Sequence, residues 1–356
     1  MPSGDFEILR KGYGMVTKIG LDLGYANITL SDVTSGIDRE PSVVLVDKET
    51  RRIISVGESA INTEASTGLL VRPFKNGLLF DSQITKGVID NALGSFGASE
   101  RLRCIIGVPA GFLPKQEKEI FEMLSDAGAD ESYSVTRSVA AIIGAGYSPS
   151  ISAISVNIGA KKTELAVLYR GKVYSSASEN IGGEDFDKAV KQYILEQGDV
   201  NVSLSVARSI KEHLGAVWSG RNPEPIDIEG TLSLTGNRVK MSVSADDIVG
   251  VFEAPLHSLI NAVADTVKRI PYEMVEEIFE NGIILTGGGA ELYGLEIMMS
   301  KVLGIAVTKP EGAIDCVAKG LSRINNFIPA RMRTNNKNIT QQLCKYYEAK
   351  KEQKKK

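Results

Sequence analysis

Two stretches of the sequence repeat one pattern: an apolar strand, a glycine turn and a second apolar strand. Residues 18–29 read KIGLDLGYANIT with the turn at Gly24, and residues 151–168 read ISAISVNIGAKKTELAVL with the turn at Gly159. Short apolar runs bounded by turn residues predict strands. Two such units in a chain of 356 residues indicate a duplicated α/β fold, in which two related hairpins could close on one phosphate-bearing ligand.

The first of these strands contains one acid, Asp22. A carboxylate beside a glycine turn, where backbone N–H groups can surround an anion, is typical of a seat for phosphate and its divalent cation. An ordinary hairpin explains the same residues. The pattern by itself leaves both interpretations open.

A third glycine element follows in residues 282–296, GIILTGGGAELYGLE, where Gly287, Gly288 and Gly289 lie between a buried strand and a helix start. Glycine lets a backbone approach a ligand where a Cβ would collide. A helix-start loop without any ligand is the alternative. The order of the three elements along the chain favours a nucleotide site.

These strings resemble the MreB-type bacterial actins, the branch of the actin–DnaK–sugar kinase superfamily that includes MreB and MamK. The resemblance runs from about residue 18 to 328. Its strings are LDLGYAN (21–27), EPSVV (40–44), VRPFKNGLLFD (71–81), IIGVPAG (105–111), IGGEDFD (181–187), SIKEHLG (209–215), LTGGGAEL (285–292) and DCVAKG (315–320).

The resemblance implies an actin-like ATPase fold with two duplicated, ribonuclease H-like lobes around a nucleotide cleft, each with a smaller subdomain. We therefore expect a flexible N-terminal extension in residues 1–17, lobe I in 18–150 plus 315–330, lobe II in 151–314 and a basic tail in 331–356. Within lobe II, residues 225–244 alternate apolar and polar around Gly236, which predicts a hairpin. Ser244 is the candidate N-cap of a long helix to Lys268.

The resemblance also implies a binding site for ATP or GTP with Mg²⁺. Asp22 would hold the water shell of the metal. The expected nucleotide contacts are Gly24, Tyr25, Ala26 and Asn27 in a first phosphate loop, Gly159, Ala160, Lys161, Lys162 and Thr163 in a second, Gly182, Gly183 and Glu184 beside the sugar and phosphates, Lys211 and Glu212 beside the adenosine, and Gly287, Gly288 and Gly289 behind the base and α-phosphate.

The chain departs from the family pattern at the hydrolytic positions. Relatives read DIGGGTT in the second phosphate loop, and this chain has Asn157 in NIGAKKT. Relatives read EEPMAA where water is positioned, and this chain has Thr136 and Arg137 at the start of TRSVAA. Without those carboxylates nothing at these positions orients or deprotonates water. We assign no catalytic residue and expect impaired hydrolysis.

Three cations, Arg137, Lys161 and Lys162, lie near the expected γ-phosphate instead. Two interpretations remain for the lysines: they point to solvent from a loop tip, or they neutralise phosphate in place of some of the metal charge.

Composition favours a soluble cytoplasmic protein, with 43% hydrophobic and 24% charged residues. The cysteines Cys104, Cys316 and Cys344 have no CxxC spacing, and an odd count argues against a disulfide framework. The histidines His213 and His257 are too far apart in sequence to suggest a metal site. No apolar run approaches the ~20 residues that span a bilayer, and there is no signal-peptide pattern.

The C-terminal residues 331–356 contain nine Lys or Arg and two Glu, a net charge of +7, although the whole chain carries −3. We expect this tail to be disordered or loosely helical. It is either a solubilising terminus or a contact for an acidic partner or for anionic lipid, at about 1 kcal/mol per basic residue. Residues 6–15 and 94–103 make poor membrane anchors. Any attachment at the periphery of the inner membrane would therefore use this basic tail or a partner.

Proteins of this superfamily fall into three function classes that the sequence could represent. The first is a cytoskeletal protein whose nucleotide-bound copies polymerise into filaments, for cell-shape control or for positioning an organelle such as the magnetosome. The second is a small-molecule kinase of the same superfamily, which needs a catalytic base and a sugar pocket that no motif indicates. The third is a DnaK-like chaperone, which needs a substrate domain after the nucleotide domain. The segment VRPFKNGLLFD favours the filament class, and we expect no nucleic-acid partner.

Overall fold

The computed structural model describes residues 16–32, 36–63, 68–75, 78–79, 81–94, 96, 101–328 and 337–353. The strands are, in chain order, β1 (Val16–Leu23), β2 (Asn27–Asp32), β3 (Gly36–Pro41), β4 (Val44–Asp47), β5 (Ile53–Val56), β6 (Gly68–Val71), β7 (Phe74–Lys75), β8 (Leu78–Leu79), β9 (Arg101–Val108), β10 (Glu131–Thr136), β11 (Ala153–Ile158), β12 (Thr163–Tyr169), β13 (Lys172–Glu179), β14 (Val200–Asn201), β15 (Ile226–Leu232), β16 (Arg238–Val243), β17 (Ile283–Thr286), β18 (Val307–Thr308) and β19 (Lys337–Asn338). The helices are α1 (Glu58–Asn62), α2 (Ser82–Leu93), α3 (Pro114–Asp126), α4 (Arg137–Gly144), α5 (Gly183–Gly198), α6 (Leu204–Leu214), α7 (Glu253–Lys268), α8 (Tyr272–Asn281), α9 (Leu295–Leu303), α10 (Cys316–Phe327) and α11 (Thr340–Gln353), with short 3₁₀ helices at Asp246–Ile248, Gly288–Glu291 and Ala313–Asp315. Among the described helices, none has the length and apolar character needed to cross a membrane.

The chain divides into two compact units. The first comprises Met1–Pro149 and Cys316–Lys356, and the second comprises Ser150–Asp315. The first unit is therefore built from both ends of the chain.

Both units contain a sheet with the same strand pattern. In the first unit the order is β3-β2-β1-β9-β10-β19, with antiparallel pairing from β3 to β1 and parallel pairing from β1 onwards. In the second unit the order is β13-β12-β11-β17-β18, again antiparallel up to β11 and parallel beyond it. Each unit adds a small three-stranded sheet, β5-β4-β6 or β14-β15-β16. The duplication predicted from the two strand–glycine–strand units is present.

The central strands explain why the sequence reads as continuous apolar runs. Every residue of β9 after Arg101 is buried, and so is every residue of β11. Strands covered on both faces have no solvent side and need no polar alternation. Cys104 lies inside β9, where burial raises the pKa of its thiol to about 12, and all three cysteines are buried and outside any disulfide.

Helix α10 packs directly on the first sheet. The Ser31 hydroxyl in β2 donates a hydrogen bond of 2.8 Å to the carbonyl of Ala318 in α10. The same helix crosses α4 so closely that a Cβ added to Gly144 would lie 1.7 Å from the Cys316 carbonyl oxygen. Such a contact leaves room for glycine alone. The segment after the second unit thus completes the core of the first.

The expectation of a flexible extension over residues 1–17 is wrong at its end. Val16 and Thr17 belong to β1 and pair in parallel register with Arg101 and Leu102 of β9. The apolar run of β1 is simply longer than the sequence pattern indicated. Residues 1–15 lie outside the described residues, and so do 95 and 97–100 of the segment considered as a membrane anchor.

The predicted hairpin around Gly236 is formed by β15 and β16, but the predicted helix from Ser244 begins later. Helix α7 starts at Glu253, because Gly250 adopts a φ of +85° that interrupts helical geometry. Ser244 instead accepts a 3.4 Å hydrogen bond from the backbone N–H of Asp247, at the start of a 3₁₀ helix.

Of the two alternatives expected for the tail, disorder is wrong for residues 337–353, and a helix is present as α11 (Thr340–Gln353). Strand β19 pairs with the edge strand β10, and the Ile339 N–H donates a 3.0 Å hydrogen bond to the Ser134 carbonyl. Ile339, Leu343 and Cys344 are buried. Their spacing puts three apolar side chains on one side of the segment, which the high positive charge obscured in the sequence. Residues 329–336 and 354–356 lie outside the described residues.

Replacing Leu343 with Ala should lower the free energy of unfolding by about 2–5 kcal/mol, the usual cost of truncating a buried leucine. Urea denaturation measures this cost. Gln341→Ala, on the exposed side of the same helix, is the matched control and should change little. Equal unfolding midpoints for the two variants would mean that α11 does not pack on the first unit in solution.

Candidate functional site

The first glycine loop connects β1 to β2 and is held by an arginine from a distant segment. Arg72 Nη1 donates hydrogen bonds to the carbonyls of Tyr25 (3.0 Å), Ala26 (3.3 Å) and Ser42 (3.1 Å). Its guanidinium carbon also lies 5.0 Å from the centre of the Tyr25 ring, a cation–π distance. Arg72 is a residue that the sequence reasoning missed, because its string VRPFKNGLLFD indicated only the family.

The acid of this loop is paired with an arginine. Nε of Arg137 lies 2.7 Å from Oδ1 of Asp22, and Nη2 donates a 2.7 Å hydrogen bond to the carbonyl of Leu23. The Arg137 and Asp22 side chains are 12% and 20% exposed. This is a charge-assisted contact at two points, so the guanidinium is fixed at the end of β1.

Strand register brings these residues together. Asp22 is opposite Gly107 in the pairing of β1 with β9, and Val135 is opposite Gly107 in the pairing of β9 with β10. Arg137 follows β10 directly as the first residue of α4. A Cβ on Gly107 would lie 3.3 Å from both the Asp22 carboxylate and the Arg137 side chain. The small residue on the middle strand leaves space for the pair.

The ion pair between Asp22 and Arg137 affects whether Asp22 can bind the expected Mg²⁺. Mg²⁺ prefers carboxylate and water oxygens. In the part of the chain that the structure describes, no cluster of three or more His, Cys, Asp or Glu side chains is arranged to hold a metal ion. Asp22 already faces a guanidinium, and Asn157 has no charge. These residues do not fit a divalent cation well, and the metal role of Asp22 stays a prediction that its surroundings oppose.

Thr136 occupies the other position where the family has an acid. Its backbone N–H donates a 2.9 Å hydrogen bond to the Thr340 hydroxyl at the start of α11. The C-terminal segment is therefore bonded to the residue that precedes Arg137.

The second glycine loop, residues 159–163, joins β11 to β12 and is bonded to the start of α5. The N–H groups of Gly183 and Glu184 donate to the carbonyls of Gly159 (2.9 Å) and Ala160 (2.8 Å). The Thr163 hydroxyl donates to a carbonyl of the same segment, that of Ile181 (2.8 Å). Two segments predicted as separate ligand contacts form one surface. The first N–H groups of the helix, which elsewhere attract anions, are already satisfied.

Two predicted contact residues of this surface neutralise each other. Lys161 Nζ lies 2.7 Å from Oε2 of Glu184. Of the two interpretations for Lys161, pointing to solvent is therefore wrong, and neutralising phosphate stays a prediction. Lys162 is half-buried, and its role stays a prediction. In the next turn of α5, a hydrogen bond to Asp185 raises the pKa of Lys188.

Lys211, predicted to lie beside the adenosine, has an internal partner. Its Nζ is 2.6 Å from Oδ1 of Asp187, a fully buried carboxylate, and donates a 3.1 Å hydrogen bond to the carbonyl of Gly183. Arg208 lies 3.3 Å from the second oxygen of Asp187. This buried charge cluster holds α6 against the start of α5. Glu212, the other predicted residue of the pair, is exposed.

The three glycines after β17 differ in their surroundings. Gly287 has a φ of +87°, and a Cβ there would lie 2.6 Å from Oδ1 of Asn157. A Cβ on Gly289 would lie 2.2 Å from the Ile158 side chain. At Gly288 the nearest atom, in the Ile314 side chain, would be 3.5 Å away, an ordinary contact. Folding therefore explains Gly287 and Gly289 but does not explain Gly288.

Removal of the Lys211 amine tests its structural role. Lys211→Met should lower the free energy of unfolding without nucleotide by about 3 kcal/mol, because the buried Asp187 loses one of its two cations. The matched control is Lys240→Met, whose exposed pair with Glu229 spans 3.4 Å and should contribute little. Chemical denaturation measures the free energy of unfolding of both variants. Equal stability would leave Lys211 to a ligand-contacting role alone.

Comparisons with known proteins agree with this architecture. Residues 16–332 match the family described as MreB/Mbl protein. The Cell shape-determining protein Mbl of Bacillus cereus is 30% identical over 312 residues, which cover 85% of this chain and 93% of the relative. Both findings confirm the resemblance seen in the motifs.

Solved structures agree on the fold. MreB5 of Spiroplasma citri bound to ADP superposes with a TM-score of 0.82 at 20% identity, covering 88% of this chain and 97% of that one. The MamK double helical filament gives a TM-score of 0.76 at 19% identity, covering 88% and 100%. The predicted actin-like fold is confirmed. With the family match spanning nearly all of the described residues, this chain belongs to the MreB/Mbl family of bacterial actins.

Proposed function

We propose that the chain is an actin-like cytoskeletal protein that binds ATP or GTP through its glycine loops and polymerises into cytoplasmic filaments. The process served would be cell-shape control or the positioning of an organelle, as with a magnetosome. The observation that supports nucleotide binding most is Gly288, a glycine beside two closely packed glycines at which an added Cβ would meet only an ordinary contact, 3.5 Å from the Ile314 side chain. A glycine that the internal packing does not require still lets a ligand approach the backbone closely.

The relatives support the same proposal. MreB5 was solved with ADP, and MamK was solved as a double helical filament. The relative in Bacillus cereus is named for determining cell shape. These names give no support to the small-molecule kinase. Contact of the basic tail, residues 331–356, with an acidic partner or with anionic lipid stays a prediction, as does a place near the inner membrane.

We also propose that hydrolysis is slow. At the two hydrolytic positions the chain has Arg137 and Asn157, and neither side chain can accept a proton from water as a carboxylate does. Arg137 is held on Asp22 at 2.7 Å, and Asn157 Oδ1 accepts a 3.3 Å hydrogen bond from the Thr286 hydroxyl. The proposed binding of nucleotide by the glycine loops does not need these carboxylates, so binding and assembly should persist.

Gly288→Leu should reduce nucleotide affinity at least about tenfold, equivalent to about 1.4 kcal/mol, and abolish ATP-dependent assembly. Because the leucine side chain extends beyond the Cβ, the unfolding midpoint is measured in parallel, and Gly288→Ala, whose Cβ meets only an ordinary 3.5 Å contact, should keep the wild-type midpoint. Equilibrium binding and sedimentation with ATP, with ADP and without nucleotide measure both effects.

The control is Thr235→Leu, which places the same leucine side chain in the exposed turn of the β15–β16 hairpin and should pellet like the wild type. Wild-type pelleting that is equally strong without nucleotide would contradict the nucleotide dependence. Equal pelleting by Gly288→Leu would remove this glycine from the site.

The double change Arg137→Glu with Asn157→Asp should raise the rate of phosphate release from ATP by about 10²-fold or more, the usual contribution of a positioned general base. Asn157→Asp alone should give no comparable gain, because Arg137 still covers Asp22. A phosphate-release assay compares the three proteins. A wild-type rate equal to that of acid-bearing relatives would show that another residue positions the water.

A further inference from the structure

Arg137 is mostly buried and held in one position, unlike an arginine on the protein surface. Its guanidinium bonds the Asp22 carboxylate and the Leu23 carbonyl, both at 2.7 Å, at the point where β1 ends and the first glycine loop begins. A divalent cation with its water shell, bound at the same carboxylate, would have to share this place. The divalent cation and the guanidinium would then repel each other, and a divalent cation repels a guanidinium more strongly than a monovalent ion does.

The second carboxylate expected to assist the metal is also absent. Asn157 offers an amide oxygen, and that oxygen accepts a hydrogen bond from Thr286 at 3.3 Å. The nearest acid in the strand pairing is Glu164, its direct partner in β12. Within the described residues no acidic cluster of metal-binding size is formed. Both family positions therefore lack the carboxylate that would help to hold a cation, and one of them, Arg137, carries a positive charge instead.

We propose that Arg137 is the resident cation of the nucleotide site and that this chain binds a nucleoside diphosphate or triphosphate without a divalent metal. An arginine is charged at every working pH, and its positive charge attracts phosphate oxygens. Asp22 acts as the positioning residue that holds the fork at the first glycine loop. This inference rests on the proposed nucleotide binding and specifies its electrostatics.

The test compares ADP affinity in EDTA and in Mg²⁺ by calorimetry on the full-length protein. The wild-type dissociation constants in the two buffers should agree within about threefold, less than about 0.7 kcal/mol. Arg137→Gln removes the resident cation, so its affinity in EDTA should fall at least about tenfold. Mg²⁺ should then restore part of the loss, because Asp22 no longer faces a guanidinium.

The matched control is Arg101→Gln on β9, which removes an exposed arginine that pairs with Glu131 at 3.5 Å. It should bind ADP like the wild type in both buffers. Mn²⁺ paramagnetic resonance gives a second readout. Protein-bound Mn²⁺ in the presence of ADP should appear for Arg137→Gln and not for the wild type.

The outcomes are distinguishable. Wild-type binding that requires Mg²⁺, or protein-bound Mn²⁺ in the wild type with ADP, would overturn the inference and leave the proposed function intact. Absence of ADP binding in both buffers would overturn the proposed function itself. The wild-type comparison does not depend on whether the Arg137→Gln variant folds.

Discussion

The side-by-side parallel pairing of β1, β9 and β10 is the constraint on which the first unit depends. Parallel strands end at the same edge of a sheet, so residues that are far apart in sequence meet there. Asp22 and Arg137 meet in this way, with Gly107 on the strand between them. The second unit repeats the arrangement with β11 and β17, where Asn157 is opposite Thr286. In each unit the strand pairing therefore decides which side chains lie side by side at the strand ends.

The sequence predicted what depends on local pattern. Glycine turns between apolar strands are short-range signals, and the two hairpins and the duplication they imply are present. The pairing of Asp22 with Arg137 was not predicted, because it requires the register of three strands. Arg72 was missed for a similar reason: its partners Tyr25 and Ala26 are distant in the chain. The packing of residues 337–353 was not predicted, because the high positive charge of the tail obscured the spacing of Ile339, Leu343 and Cys344, which are buried.

The surface around the second glycine loop is largely satisfied by its own contacts. Backbone N–H groups at the start of α5 bond to the loop, and the charges of Lys161 and Lys211 are met by Glu184 and Asp187. A surface fixed in this way loses little conformational freedom when a ligand arrives.

Both edges of the first sheet are protected against pairing with exposed strands of other molecules. An open strand edge can pair with any other exposed strand, and such pairing leads to aggregation. One edge here is β3, whose residues Asp38, Arg39 and Glu40 are charged and exposed and whose last residue is Pro41. The other edge would be β10, and the two-residue strand β19 covers it. A fusion partner or fluorescent label that replaced residues 337–353 would uncover β10, and clumps formed through that edge would be mistaken for ordered polymers.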